Sequence, residues 1–140
     1  MTALNPQRLL SADKARVLAL AAIDMAREQG VAVAVAVVDA AGQLKAFLAD
    51  DQSPWVATEL SQRKAKTALL GLESGALGQA LVDQTALLHS FSAVPGVTLL
   101  AGGIPVRVDG QVVGAIGVGG GSPEQDADIA RQALALAELS

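Results

Sequence analysis

The sequence predicts a single α/β (α+β) domain in which five antiparallel strands are flanked by helices. Three observations carry this expectation. A valine-rich run, VAVAVAVVD, closes on an AAG turn and returns as QLKAFLA; an Asp109-Gly110 turn joins GIPVRV to QVVGAIGV; and segments with apolar residues at helical spacing open and close the chain. Asp-Gly between two strand-like runs is the strongest short-range hairpin signal a sequence offers.

Each element has a local cause. Ser11 is placed as an N-cap, and Ala15, Leu18, Ala22, Met25 and Ala26 recur at helical spacing until Gly30 stops the helix, which predicts a helix over 11–29. The strand at 31–39 is apolar on both faces, so a central position covered on both sides is expected, with 43–49 as its hairpin partner. A second helix over 54–71 begins near Pro54. The pattern weakens between 74 and 92, where a short helix over 79–88 is expected, and 97–101, 103–108 and 111–118 read as three further strands. Ser122, Pro123 and Gln125 form an S-x-x-Q capping box with proline at the first helical position, which sets the last helix at 122–139.

Composition narrows the functional classes. At 140 residues and 14.1 kDa the chain fits one domain, 1–140, large enough to bury a core without staples. Half of it (51%) is apolar but only 2% aromatic, so that core must be packed from Ala, Val, Leu and Ile. A formal charge of −4 and a pI near 4.8 argue against nucleic-acid or anionic-membrane partners, which reward basic surfaces. With no cysteine, disulfides and thiolate metal sites are excluded. The N-terminus is too polar for a secretory signal and VAVAVAVV too short to span a bilayer, so a cytoplasmic protein is expected. A small aliphatic chain of mean hydropathy +0.42 is expected to cover part of its surface with copies of itself, as a homo-oligomer.

Few residues stand out as chemistry. Projected at 100° per residue, the second helix gathers Glu59, Gln62, Arg63 and Lys66 on one side and Ala57, Leu60, Ser61, Ala65, Ala68 and Leu72 on the other, with Lys64 among the latter. Either its stem snorkels to the surface, or its amine holds a ligand carboxylate or serves as acid or base. His89, the one histidine, is either a ligand or a favourable charge at a helix C-terminus. The glycines at 119–121 occupy a strand-to-helix junction, a place that can bind phosphate, but Glu124, Asp126 and Asp128 oppose an anion there and no phosphate-loop spacing is present. Close backbone packing, or the approach of a flat uncharged ligand face, is expected instead. Neither G-x-S-x-G nor H-E-x-x-H occurs, and no metal-binding residue is assigned.

Taken together, VAVVDAAGQLKAF, RKAKTA, LLAGGIPVRVDGQVVGAIGVGGG and EQDADIA resemble the signature of the GlcG/HbpS family of haem-binding proteins, also found as the C-terminal domain of PduO-type cobalamin adenosyltransferases. The resemblance runs from about Ser11 to Leu139. It implies a profilin-like α/β/α sandwich with a five-stranded antiparallel sheet, assembly into homo-oligomers, and haem or another tetrapyrrole as cofactor. Lys64 and Thr67 match the family's K-A-x-T-A, Gly102, Gly103 and Pro105 its G-G-x-P turn, and Asp126 the acidic position of the last helix. In that reading His89 or Thr67 meets the metal, while the glycine turns, Gly119 and Gly120 included, let the macrocycle lie against backbone.

Two departures matter. The family's arginine after the second strand is replaced by Leu48, Ala49, Asp50, Asp51 and Gln52, which removes a candidate partner for a propionate, and the usual V-S-G-G is Val118, Gly119, Gly120 and Gly121. Three classes stay open: a small tetrapyrrole-binding module; a cofactor-free enzyme of isomerase, lyase or hydrolase type acting on a small organic acid through Lys64; and a structural oligomer.

Overall fold

The computed structural model describes residues 3–139. In chain order the elements are α1 (Ala12–Glu28), β1 (Ala34–Asp39), β2 (Leu44–Ala49), α2 (Val56–Ala68), α3 (Ser74–Leu81), α4 (Thr85–Ser92), β3 (Gly103–Val108), β4 (Gln111–Gly119) and α5 (Pro123–Leu136). The strands form one antiparallel sheet in the order β2-β1-β4-β3. As its run of five apolar residues demands, β1 is interior, and all six of its residues, Asp39 included, are buried. None of the described helices is long and apolar enough to cross a membrane.

The caps are those the sequence encodes. Ser11 Oγ accepts the Lys14 N–H at 3.1 Å and Ser122 Oγ that of Gln125 at 3.1 Å, so α1 and α5 each have one of their orphan amides satisfied at the start. Asp109 and Gly110 have φ of 52° and 77°, the paired positive values of a type I′ hairpin turn.

The two faces of the sheet are packed differently. On one, Val35, Val37, Ile116 and Val118 lie in a branched aliphatic core with α1 and α5. On the other, Ala36, Val38 and Ala115 meet Ala65 and Ala68 of α2. Small side chains on both partners bring α2 almost onto the strands. A Cβ at Gly117 would fall on the Ser61 carbonyl, and one at Gly103 on the Lys64 carbonyl. This contact fixes where Lys64 stands.

Two expectations are corrected. Among the described residues the sheet has four strands, not five, because 97–101 forms no ladder. Its backbone groups go to side-chain hydroxyls instead: Thr98 N–H donates to Thr67 Oγ1 (3.0 Å), and the Leu100 carbonyl accepts from Ser74 Oγ (2.7 Å), which itself accepts the Gly103 N–H (2.9 Å). Gly75 and Gly78 let α3 press against Ala101 and Leu99, closing that side to another strand. The single helix expected over 79–88 is two helices, α3 and α4; α3 buries Ser74, Leu77 and Leu81, while α4 buries nothing.

Ser74 therefore carries a testable load. Its hydroxyl is fully buried and joins two backbone groups. Ser74→Ala should cost about 2 kcal/mol, since it strands a donor and an acceptor away from water. A lowered urea midpoint is the expected result; an unchanged midpoint would mean that other contacts hold the 97–101 segment.

Candidate functional site

Because α2 rides on the sheet backbone, Lys64 points across the end of β4 toward the start of α5. Its Nζ lies 2.9 Å from Asp126 Oδ2 and 3.0 Å from the Val118 carbonyl, and the two side chains are 3% and 1% exposed. Asp126 Oδ1 accepts the Gly121 N–H at 2.8 Å. Lys64 thus does not snorkel, and Asp126 does not face solvent from the first turn of α5 as Glu124 does. Burial holds the Asp126 carboxyl above its ordinary pKa, although the Lys64 ammonium and the Gly121 N–H each favour the charged form.

Glycine makes room for this pair. Gly102 has φ of +134°, and a Cβ there would sit 2.7 Å from Lys64 Cδ and 2.9 Å from its Nζ. The space is the lysine's own. Above the pair, Pro54, Val56, Ala57 and Leu60 at the start of α2 face Gly120, Gly121 and Pro123 around a pocket of about 250 Å³, with Lys64 and Asp126 in its lining.

Of the residues singled out in the sequence, Lys64, Gly102, Gly120 and Asp126 are brought together here. Gly103 lies beneath the Lys64 carbonyl, and Gly119 packs on Ala57, where a Cβ would find ordinary contact at 3.4 Å. Thr67 is buried with its hydroxyl committed: it donates to the Arg63 carbonyl at 2.7 Å and accepts from Thr98. His89 is exposed on α4 and borders neither this pocket nor the next cavity.

That second cavity is a groove of about 510 Å³ along β3, an edge strand of the sheet, and Pro105 belongs to it. Leu72, Ile104, Leu134 and Leu139 make the rest of its apolar lining, and Arg107, Arg131 and Glu73 its polar one. Arg107 donates to the Gly71 carbonyl, while Arg131 is bidentate with Glu73, through Nε to Oε2 at 3.2 Å and Nη2 to Oε1 at 2.5 Å. Sequence reasoning did not reach these arginines. The groove joins β3, α5 and the α2–α3 loop, and no spacing within one segment marks it.

The acidic loop after β2 has a structural use. Asp50 accepts from Arg27 Nε at 2.9 Å and from Nη2 at 3.0 Å, which ties the loop to α1. The bond holds the Asp50 carboxyl below its usual pKa.

Comparison with known proteins gives consistent results. Residues 10–135 match the family model of the haem-degrading protein HbpS-like. The chain is 36% identical to the protein GlcG of Escherichia coli strain K12 over 110 residues, which is 79% of this chain and 81% of that one. Among solved structures it is similar to a double mutant of HbpS from Streptomyces reticuli, with a TM-score of 0.87 and 32% identity over 95% of this chain and 90% of that one. It is also similar to PduOC in complex with haem, with a TM-score of 0.83 and 33% identity over 91% of this chain and 94% of that one.

Proposed function

Since the chain belongs to the HbpS-like family, we propose that it is a small tetrapyrrole-binding module. One observation carries the reading: nearly the whole chain superposes on a domain solved with haem, and that domain is nearly all matched in return.

The groove along β3 fits part of such a ligand. Its volume of about 510 Å³ lies within the usual range of small-molecule sites, its lining is mainly aliphatic, and the guanidinium groups of Arg107 and Arg131, which suit carboxylates, belong to that lining. It does not fit the iron. None of its lining residues carries an imidazole, thiol, thioether or phenol, the usual haem ligands. No redox or degradation step is therefore derived for this chain. Assembly into homo-oligomers is part of the proposal, supported by the exposed Val17 and Leu20 of α1 together with Leu44 and Leu48 of β2.

The enzymatic reading retains one favourable observation, that Lys64 and Asp126 line a pocket. The same contact counts against it. Asp126 already neutralises the ammonium, so an organic acid would have to displace a buried carboxylate 2.9 Å away, in a pocket smaller than most ligand sites.

Titration of the purified chain with haem tests the proposal. Saturable binding with a defined Soret band is expected; the absence of any saturable change would overturn it.

A further inference from the structure

The β3 groove lies beside an edge strand of the sheet, where the ordinary occupant would be another strand. Here the edge is unsuited to one. Gly102 turns its carbonyl inward to the Val118 N–H (2.9 Å), while Gly103 turns its N–H outward to Ser74 Oγ (2.9 Å). By the alternation of an antiparallel ladder, Pro105, whose Cα partner is Ala115, also faces outward, and it has no N–H to give. Two successive outward donors are thus lost to an incoming strand. Edge pairing is blocked at Gly103 and Pro105, and a ligand that needs no backbone ladder remains.

The polar groups of the groove specify that ligand further. Arg107 is held by the Gly71 carbonyl and Arg131 by Glu73, so both guanidinium groups are positioned in advance, and each has N–H donors to spare out of five. The Arg131–Glu73 pair is half exposed, with side chains 51% and 38% accessible, so sharing Arg131 with a second carboxylate costs little. Glu73 leaves the groove with a net charge of one positive unit, which favours an anion while limiting how many charges it tolerates.

We propose that this groove binds tetrapyrroles through their carboxylates, the macrocycle lying on Leu72, Ile104, Pro105 and Leu134 and the propionates meeting Arg107 and Arg131, with the central metal making no bond to the protein. The proposal rests on the tetrapyrrole reading above and names its site and its selectivity. Recognition is then blind to iron and sensitive to esterification.

The test compares three probes on the full chain: haem, metal-free protoporphyrin IX and protoporphyrin IX dimethyl ester. Haem and protoporphyrin IX should bind with similar affinity, and the dimethyl ester at least about tenfold more weakly, as expected for loss of charge-assisted hydrogen bonds. Arg107→Gln and Arg131→Gln should each weaken protoporphyrin IX by about tenfold, with circular dichroism unchanged, whereas His89→Ala should bind it like the parent. If haem binds but protoporphyrin IX does not, and His89→Ala loses haem, the groove assignment is overturned while the tetrapyrrole reading stands. If the parent chain binds none of the three, both fall.

Discussion

Replacing Lys64 by Met lowers the unfolding free energy by about 3–5 kcal/mol, because the substitution keeps the aliphatic stem and strands the Asp126 carboxylate in the interior. Urea denaturation near neutrality is the measurement. Removing the second charge as well, in Lys64→Met/Asp126→Leu, should recover most of the loss, since a buried pair is worth little more than an apolar replacement of similar volume. The pH dependence of the single variant has a definite sign. With the ammonium gone, burial outweighs the remaining Gly121 N–H bond and holds the Asp126 folded pKa above the unfolded value, so the folded state takes up a proton first. The variant therefore regains stability as pH falls through that raised pKa toward the ordinary value, and loses it again as pH rises. A variant as stable as the parent at all pH values would mean that Asp126 is relieved by water, and that the pair does not lock α2 to α5.

Gly117→Ala should be as damaging by a different route. Its Cβ would land on the Ser61 carbonyl and 2.6 Å from the Ala65 amide, both parts of a helix backbone that cannot rotate aside. The helix must then lift from the sheet, at a cost of about 3 kcal/mol. Gly119→Ala is the matched control: its Cβ would meet Ala57 at 3.4–3.5 Å, an ordinary contact, and less than about 1 kcal/mol should be lost. Equal urea midpoints for the two variants would contradict the account of α2 as a helix seated on strand backbone. Displacement of α2 would also carry Lys64 away from Asp126, so Gly117→Ala and Lys64→Met should be non-additive.

What the sequence disclosed and what it withheld divide along the range of the interactions. Ser11 and Ser122 act within one helical turn, Asp109-Gly110 within one hairpin, and all three were legible from neighbouring residues. The run VTLLA reads as a strand by composition. Its backbone is instead satisfied by the hydroxyls of Thr67 and Ser74, 31 and 26 residues away, and nothing local announces that. Helical projection placed Lys64 on the small-residue face, yet spacing could not reveal that Asp126, 62 residues on, closes the pair. The junction glycines left close packing and the approach of a flat ligand face both open; in the fold Gly120 lies against the Ala32 carbonyl and Gly119 makes ordinary contact with Ala57. The groove was the least visible feature. Arg107 lies on β3 and Arg131 on α5, and only the fold brings both into the lining of one groove.

The central claim is that the chain holds a tetrapyrrole in the β3 groove through Arg107 and Arg131. A crystal structure of the chain with protoporphyrin IX tests it most directly. The predicted result is a macrocycle lying along Ile104 and Pro105 with its two carboxylates at the guanidinium groups. A macrocycle seated instead against α4 beside His89, or in the pocket above Lys64, would contradict it.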